Sequence, residues 1–283
     1  MYNAKYDLGP LCKLRDWIPI EKLNRANLSA NPNAIHLLKQ NPEKIDWSWL
    51  SSNPNAIHLL EQNLNNLKLL SANYLDLLSA NPNAIHLLEK NIDKINWKIL
   101  SGNPNAIPIL EKNIDKINWR ILSGNPNAIH LLEQNQNKIN WTWLSFNPNA
   151  VHLLKQNPEK IDWYYLSKNP NAIHLLEQNP DKIVWSALSR NPNAIHLLEQ
   201  NPEKINWYWL SRNPNAIHLL EQNLDNINWL CLSNNPYIFE YDYEAMRDRI
   251  RPLAEDLIAN RFHPRNFEKW LGWGFDECQE CEF

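Results

Sequence analysis

The 283-residue sequence has little glycine, little cysteine and no long apolar run. Its five glycines form no phosphate-binding loop, and its four cysteines are too scattered for a disulfide framework. No segment is apolar for long enough to span a bilayer, and the N-terminal MYNAKYDLGP lacks the apolar centre of a signal peptide. We therefore expect an intracellular protein in a reducing compartment, without a membrane partner.

The sequence also lacks an excess of charge of either sign. Lys and Arg number 28 against 31 Asp and Glu, which gives a net charge of −3 and a pI near 6.3. This balance offers no general electrostatic reason to bind nucleic acid. No nucleophile stands beside a base, and no carboxylates are paired in an apolar setting. We predict that the protein is not an enzyme and needs no cofactor.

What the sequence does contain is a repeated unit of 22 residues, clearest at 191–212 as NPNAIHLLEQNPEKINWYWLSR. A fixed period of this length is typical of a solenoid, in which each unit buries its apolar face against its neighbours. We predict an all-α solenoid of about ten two-helix repeats, with N- and C-terminal helical caps. The copies follow one another in steps of 22 residues, with one step of 28, and begin at Asn31, Asn53, Asn81, Asn103, Asn125, Asn147, Asn169, Asn191 and Asn213.

Each repeat carries its own helix start and stop signals. The Asn-Pro at 191–192 begins helix A, and the Asn-Pro at 201–202 ends it, because the residue before a proline is pushed out of helical angles. An Asn or Asp at position 16, here Asn206, predicts the N-cap of a short helix B that starts at Trp207. Val184 is the exception among the regular copies.

Two further positions suggest how the helices end and pack. A tryptophan at position 17, with a leucine three residues later, predicts a buried spine along the stack. Gly102 and Gly124, at position 22, predict a left-handed stop after helix B. The second copy has six additional residues and no tryptophan. It is either a repeat decayed by drift or a bend that shapes a groove.

The ends of the chain differ from the repeats. We divide the sequence into an N-terminal segment and half-repeat cap (1–30), the solenoid (31–234), and a helical C-terminal cap with an acidic tail (235–283). In the half-repeat at 21–30, Arg25 stands where tryptophan belongs, as a polar end unit would require. In the C-terminal part, an amphipathic helix is predicted from Tyr243 to Ile258, with Pro252 as the place for a kink, and a shorter helix is predicted to end at Gly272.

Histidine and cysteine patterns are the candidates for metal binding. Neighbouring layers lie about 8–10 Å apart, whereas each ligand must approach zinc to about 2 Å, so a shared metal along a histidine row is excluded. We predict a row that is solvated or bonded between layers, with a pH response as the alternative. Cys278 and Cys281 lack nearby further ligands, and we predict no metal there. The histidines at position 6 are His36, His58, His86, His130, His152, His174, His196 and His218.

Positions 18, 19 and 22 vary among copies that otherwise repeat almost verbatim. Positions 18 and 22 lie four residues apart on helix B and share a face. Tyr, Phe and Arg occur there, which are typical of binding interfaces. The pattern predicts a protein-binding strip, unless these are solvent-facing positions that tolerate any residue. The strip consists of Lys98, Arg120, Phe146, Tyr164, Lys168, Arg190, Tyr208 and Arg212.

The repeated NPNAIHLLE and INWxxLS motifs resemble short Asn-Pro repeats in proteins of large DNA viruses that infect amoebae. The segment FHPRNFEKWLGWGFD at 262–276 looks like the ending of such proteins. The repeat unit is also similar to the leucine-rich repeat variant, which alternates an α-helix with a short 3₁₀-helix. The resemblance covers about residues 15–275 and implies a helical repeat protein of viral origin, in the host cytoplasm or the virion, without catalytic residues.

Taken together, these patterns predict a non-enzymatic scaffold that binds a protein or peptide along the repeat surface. One alternative is a single-stranded nucleic-acid-binding protein, because helical repeats can read one base per unit and the strip contains five basic residues. The net charge argues against it. The other alternative is a structural component of the virion.

Overall fold

A computed structural model describes residues 12–63, 72–90 and 92–261. The repeats form a stack of similar layers, and the unit that contains this stack runs from Arg15 to Phe239. Each complete layer consists of an Asn-Pro turn, helix A, a second turn and helix B. This arrangement confirms the predicted all-α repeat solenoid. We number the repeats 1 to 9, from the copy at Asn31 to the copy at Asn213.

Helix A begins three residues after the Asn-Pro proline rather than at it. The Asn-Pro segment first forms a tight turn, which is a 3₁₀-helix at Pro32–Ala34, Pro54–Ala56, Pro104–Ala106, Pro126–Ala128, Pro214–Ala216 and Pro236–Ile238. The helices A are Ile35–Gln40, Ile57–Asn63, Ile85–Glu89, Ile107–Glu111, Ile129–Gln134, Val151–Gln156, Ile173–Glu177, Ile195–Glu199 and Ile217–Glu221.

Helix B begins where the sequence predicts, directly after the Asn or Asp at position 16. The Asn206 side chain accepts a hydrogen bond from the Trp209 amide at 3.2 Å. Second 3₁₀ turns precede these caps, at Ile20–Lys22, Pro42–Lys44, Ile92–Lys94, Ile114–Lys116, Gln136–Lys138, Pro158–Lys160, Pro180–Lys182, Pro202–Lys204 and Leu224–Asn226. The helices B are Arg25–Ser29, Trp47–Leu50, Ala72–Ala80, Trp97–Leu100, Trp119–Leu122, Trp141–Phe146, Trp163–Ser167, Trp185–Leu188, Trp207–Leu210 and Trp229–Leu232.

The core of each layer is made of small and aliphatic side chains. In repeat 6, Asn147, Ala150, Leu154, Leu166 and Ser167 are completely buried, and the equivalent residues of the other layers repeat this pattern. The prediction of a buried tryptophan spine is wrong, because the position-17 indoles lie at the edge of this core and are only half-buried.

Several of these indoles are each covered by a lysine from the following repeat. Lys160 Nζ, for example, lies 4.4 Å from the ring centroid of Trp141, which is within the range of a cation–π interaction. The same stacking joins Lys116 to Trp97, Lys138 to Trp119, Lys182 to Trp163 and Lys204 to Trp185.

The predicted left-handed stop at the position-22 glycines is also wrong. Neither Gly102 nor Gly124 has a positive φ in the left-handed region. The next layer crowds these positions instead: a Cβ at Gly102 would lie 3.1 Å from Ile121 Cγ2, and one at Gly124 would lie 3.1 Å from Trp143 Cε3. Glycine therefore fits at these two positions without displacing the side chains of the next layer.

A ladder of buried asparagines joins the layers. Asn147 Nδ2 donates to Asn125 O at 2.8 Å and to Ser123 O at 3.1 Å, both in the preceding layers. The same pair of bonds recurs at every position-1 asparagine from Asn53 to Asn235.

The ladder closes on itself, which the sequence did not predict. Asn31, in repeat 1, donates to Asn235 O at 2.9 Å and to Ser233 O at 3.0 Å. Asn27 Nδ2 donates to Leu230 O at 2.7 Å, and Lys22 Nζ stacks over the Trp229 ring at 4.7 Å. The two ends of the stack are therefore joined by the same contacts that join any two neighbours.

The layer that closes the array is assembled from both ends of the stack. Residues 235–239 supply its Asn-Pro turn, and residues 15–30 supply its second turn and helix B; we call this layer the composite repeat. Arg15 N donates to Ile238 O at 3.0 Å and holds the two halves together. Residues 21–30 are thus a half-repeat, as predicted, but they complete a layer instead of capping the free end of a rod.

The second unit contains the segments that precede and follow the array in the sequence. Strands β1 (Cys12–Leu14) and β2 (Phe239–Tyr241) form a two-stranded sheet. A helix follows at Tyr243–Asp256, which includes Pro252 and passes into a π-helical turn at Leu257–Arg261. The predicted apolar face of this helix is not buried, since Ile250 and Leu253 are each 60% exposed. The predicted helix ending at Gly272, the acidic tail and the cysteine pair lie outside the described residues.

None of the helices in the described ranges combines the length and the apolar character that a bilayer crossing requires.

Candidate functional site

The variable residues of helix B lie on the narrower side of the closed array. Neighbouring helices B, and neighbouring Asn-Pro turns, contact each other extensively, whereas the described helices A make few contacts with one another. In a closed array, the side with the closer spacing is the inner one. The predicted strip therefore belongs to the inner side, and helices A belong to the outer side.

Within this inner side, repeats 6 to 8 bring cations and aromatic rings together. Lys168 Nζ lies 4.0 Å from the ring centroid of Tyr164, 5.3 Å from that of Tyr165 and 5.8 Å from that of Trp209. Arg190 also lies over Trp209, with its Cζ 5.6 Å from the ring centroid. We call these residues, together with Tyr208 and Arg212, the cationic–aromatic cluster.

A pair of small side chains in repeat 7 makes this meeting possible. Tyr164 and Lys168 belong to repeat 6, and Trp209 belongs to repeat 8. The intervening helix B carries serine and alanine at positions 18 and 19, and Ala187 is almost completely buried. Because Ser186 and Ala187 fill so little space, Lys168 reaches across repeat 7 to the indole two layers away.

The electrostatic state of the cluster is cationic. Desolvation, followed by repulsion from Arg212, lowers the pKa of Arg190 from its ordinary value, against the opposing influence of Tyr164 and Cys231. The ordinary pKa of arginine lies far above neutral pH, so Arg190 remains charged there. A hydrogen bond with the buried Cys231 thiol raises the pKa of Tyr208, which keeps its hydroxyl neutral.

The outer side carries a row of histidine–glutamate contacts between layers. Histidines of helix A bond at 2.9–3.1 Å to the glutamate of the preceding helix A, in the pairs His86–Glu61, His130–Glu111, His152–Glu133, His196–Glu177 and His218–Glu199. These five are thus bonded between layers, one of the two arrangements predicted. Lys39 replaces glutamate beside His58, and burial, followed by this lysine, lowers the pKa of His58. In the described part of the chain, no three His, Cys, Asp or Glu side chains converge as a metal site requires.

Charge is therefore separated between the two sides. Positions 18 to 22 of the regular copies contain basic residues but no Asp or Glu. In the irregular second copy, helix B contains Asp76, which accepts a hydrogen bond from Asn96 at 2.7 Å. A net charge of −3 for the whole chain conceals this separation.

The structure places the predicted strip residues in two groups. Tyr164, Lys168, Arg190, Tyr208 and Arg212 belong to the cationic–aromatic cluster. Phe146, which is 39% exposed, lies one repeat before it. Lys98 and Arg120 are exposed in repeats 3 and 4, further from the cluster along the array.

Two cluster residues, Tyr165 and Trp209, are not in the predicted strip, and both are at position 19. The signal was present, because position 19 varies as strongly as position 22. Small residues at position 19, Ala187 and Cys231, follow layers with the long side chains Lys168 and Arg212 at position 22. Bulky Ile121 and Trp143 follow Gly102 and Gly124. Part of the variation is therefore steric matching between neighbouring layers.

Comparisons with protein-family models, with curated proteins and with solved structures find no match for this chain. The resemblance to viral Asn-Pro repeats stays a prediction, and a functional proposal depends on the geometry of the cluster.

Proposed function

We propose that the protein is a non-enzymatic interaction protein that binds an acidic segment of a partner protein at the cationic–aromatic cluster. The observation that carries this proposal is the convergence of Lys168 and Arg190 on Trp209 across three layers, with Lys168 also over Tyr164. Arg212 adds a third cation, close enough to lower the pKa of Arg190. Within the described residues, Lys168, Arg190 and Arg212 form no salt bridge with Asp or Glu, since the acidic contacts of the array are the histidine–glutamate contacts of helices A. These cations are therefore available to carboxylates of a partner.

The aromatic rings add to the binding surface. Tyr164 is 39% exposed and Tyr208 is 47% exposed, although large aromatic side chains are usually buried. Tyr, Trp and Arg are enriched among the residues that dominate interface energies. An acidic segment with an apolar residue would pair its carboxylates with the cations and cover these rings.

Single-stranded nucleic acid is the second candidate, because basic and aromatic residues together are also typical of such sites. Base stacking, however, requires open ring faces. Lys168 already covers one face of Tyr164, and Arg190 covers Trp209. A carboxylate can bind these cations without displacing them from the rings, which favours the acidic peptide.

The test is a selection of binding peptides from a random library, followed by affinity measurements on the selected sequences. We expect enrichment of Asp and Glu, and about a tenfold or greater loss of affinity in the Lys168→Ala/Arg190→Ala/Arg212→Ala variant, since about 1.4 kcal/mol is a factor of ten. The matched control is Lys98→Ala/Arg120→Ala, which removes cations of the same side outside the cluster and should change affinity less than about twofold.

Equal losses in both variants, or enrichment of peptides without acidic residues, would refute the acidic-segment proposal. A random RNA oligonucleotide is measured in parallel from low to high salt. Tight binding that falls steeply with salt would favour the nucleic-acid candidate.

A further inference from the structure

A pocket of about 350 Å³ lies where the composite repeat meets repeat 1. Its wall on the composite repeat comes from the second turn and helix B, and its opposite wall comes from helix A and the second turn of repeat 1. Its volume is at the lower end of the ~300–1,000 Å³ range of small-molecule sites. The lining residues are Ile20, Glu21, Leu23, Arg25, Leu28, Leu37, Leu38, Asn41 and Lys44.

The pocket coincides with the position of a missing indole. In the composite repeat, position 17 is Arg25, whereas the eight regular copies have tryptophan there. Elsewhere in the array this indole lies beneath the position-14 lysine of the next layer, as Trp141 does beneath Lys160. Arg25 is exposed and leaves that space open.

The lysine that would cover the missing indole is in place. Lys44 Nζ donates to Asn41 Oδ1 at 3.0 Å. Lys160 and Lys204 make the same bond, to Asn157 at 3.2 Å and to Asn201 at 3.1 Å, while each stacks over a tryptophan. The bond that orients the lysine toward the ring position is therefore formed in repeat 1, and the ring alone is missing.

We propose that this pocket binds an indole or a flat aromatic group of similar size that carries a carboxylate. The ring would lie against Leu23, Leu28 and Leu38 of the pocket wall. It would lie beneath Lys44, as the protein's own indoles lie beneath lysines in the other layers. The carboxylate would pair with Arg25 at the mouth. Arg25 and Lys44 together outweigh Glu21, so the charge of the pocket favours an anionic ligand.

The ligand could be a free indole carboxylate or a tryptophan side chain beside an acidic residue in a peptide. The probes are 5-fluoroindole-3-acetate, 5-fluoroindole without the carboxylate, and an acetylated Glu-Trp-Glu amide, each followed by NMR titration of the full-length protein. We expect binding of the fluorinated acid at about 1 mM or tighter, as for ligands of this size, and weaker binding of the neutral indole. Tighter binding of the peptide than of the acid identifies a protein side chain as the source, and the reverse identifies a free molecule.

Three substitutions test the site itself. Arg25→Trp restores the repeat consensus and should fill the pocket, which would raise the Tm and weaken binding of all probes at least about tenfold. Arg25→Ala keeps the pocket open and should remove the preference for the probe with a carboxylate. Lys44→Ala should weaken the binding of both indole probes. The control Lys116→Ala, at a lysine already stacked on Trp97, should leave probe binding unchanged.

The proposal is overturned if the native protein binds none of the probes at millimolar concentration, or if Arg25→Trp and Lys116→Ala bind them alike. The Arg25→Trp variant could fail to fold if the tryptophan does not fit the pocket. Because Arg25 and Lys44 are exposed, their alanine variants should still fold, and probe binding by these two variants then tests the proposal. The site is separate from the cationic–aromatic cluster, and its failure would leave the proposed function unaffected.

Discussion

At the scale of single residues, the asparagine that opens each repeat has two structural roles. Its side-chain oxygen caps the turn that follows, as Asn147 Oδ1 does by accepting the Asn149 amide at 3.0 Å. Its side-chain nitrogen donates both hydrogens to carbonyls of earlier layers. A primary amide is the side chain that supplies an acceptor and two donors at once, and this explains why a polar residue tolerates complete burial at every layer.

The substitution Asn147→Asp separates these two roles. The carboxylate can still cap the turn, but it cannot donate to Ser123 O and Asn125 O, and it would be buried beside two carbonyl oxygens. Leaving a buried charge without its partners typically costs about 3–5 kcal/mol. We expect a loss of that order in the free energy of unfolding at neutral pH, measured by urea denaturation, and a smaller loss at acidic pH where the carboxyl is protonated.

Asn149→Asp is the matched control. Asn149 is exposed and donates to Pro126 O at 2.9 Å, so its substitution should cost about 1 kcal/mol or less. Equal losses for the two variants would show that the buried ladder is not a main source of stability.

Among the roles of single residues, the sequence could predict the caps but not the asparagine ladder or the half-exposed tryptophans. The capping role follows from the Asn-Pro pair, because capping involves atoms a few residues away. The ladder joins Asn147 to residues 22 and 24 positions earlier, and the repeat period does not say which atoms of two layers meet. The tryptophans were predicted to be buried because they are large and recur, yet the stacked lysines allow them to remain half-exposed.

At the scale of the element, helix B depends on its N-cap. Asn206 has φ −92° and ψ 100° and caps helix B of repeat 8 with its side chain. Val184 has nearly the same backbone angles, φ −94° and ψ 94°, but provides no side-chain cap to helix B of repeat 7. Its amide donates to Ser167 Oγ at 3.1 Å, as the Asn206 amide donates to Ser189 Oγ at 2.9 Å. The backbone at Val184 is therefore already suited to a capping residue.

Val184→Asn should stabilise the protein. We expect a gain of about 0.5–1 kcal/mol, since N-cap side chains contribute about 0.5–2 kcal/mol. The reciprocal Asn206→Val should lose a similar amount, and thermal unfolding of both variants measures the two effects. A loss of stability in Val184→Asn would show that packing of the valine outweighs the missing cap.

The boundaries of helix B could be predicted because Asx caps and Asn-Pro stops are local signals. Helix A was placed too early, because Asn-Pro is compatible with the start of both 3₁₀ and α geometry. The glycines at position 22 were misassigned for a different reason. Gly102 and Gly124 meet side chains of the next layer, and a single repeat does not contain that information.

At the scale of the whole array, a small rotation between neighbouring layers adds up to a closed circle. Ten layers that close require an average turn of about 36° per repeat, and solenoid curvature follows from such per-repeat rotations. The sequence shows a half-repeat at 21–30 and an Asn-Pro pair at 235–236, which are the two parts of the composite repeat. It does not show the rotation angle, so the half-repeat was interpreted as the cap of a rod. The candidate cluster was predicted in part, because its residues vary in sequence. The reach of Lys168 to Trp209, two layers away, was not predicted, because it depends on how the intervening layer packs.

Closure can be measured as a distance between the two ends of the stack. Glu21 and Asp225 are exposed and occupy position 13 of neighbouring layers in the closed array. Their backbones should be about one helix-packing distance apart, about 8–10 Å, whereas in an open rod of the same repeats they would be separated by about 70–90 Å. Fluorophores introduced at these two positions through non-natural amino acids leave the native cysteines unchanged, and we expect energy transfer close to its maximum. A pair at Asp115 and Asp225, five layers apart, is the control. Across a ring of ten layers its separation should be about 25–35 Å, so with a donor and acceptor whose Förster distance is about 20 Å this pair should transfer far less. Low transfer for the Glu21–Asp225 pair would show that Asn31 does not reach Asn235. Urea should convert high transfer into low transfer in the same transition that unfolds the helices, because the closing contacts are the same as those within the stack.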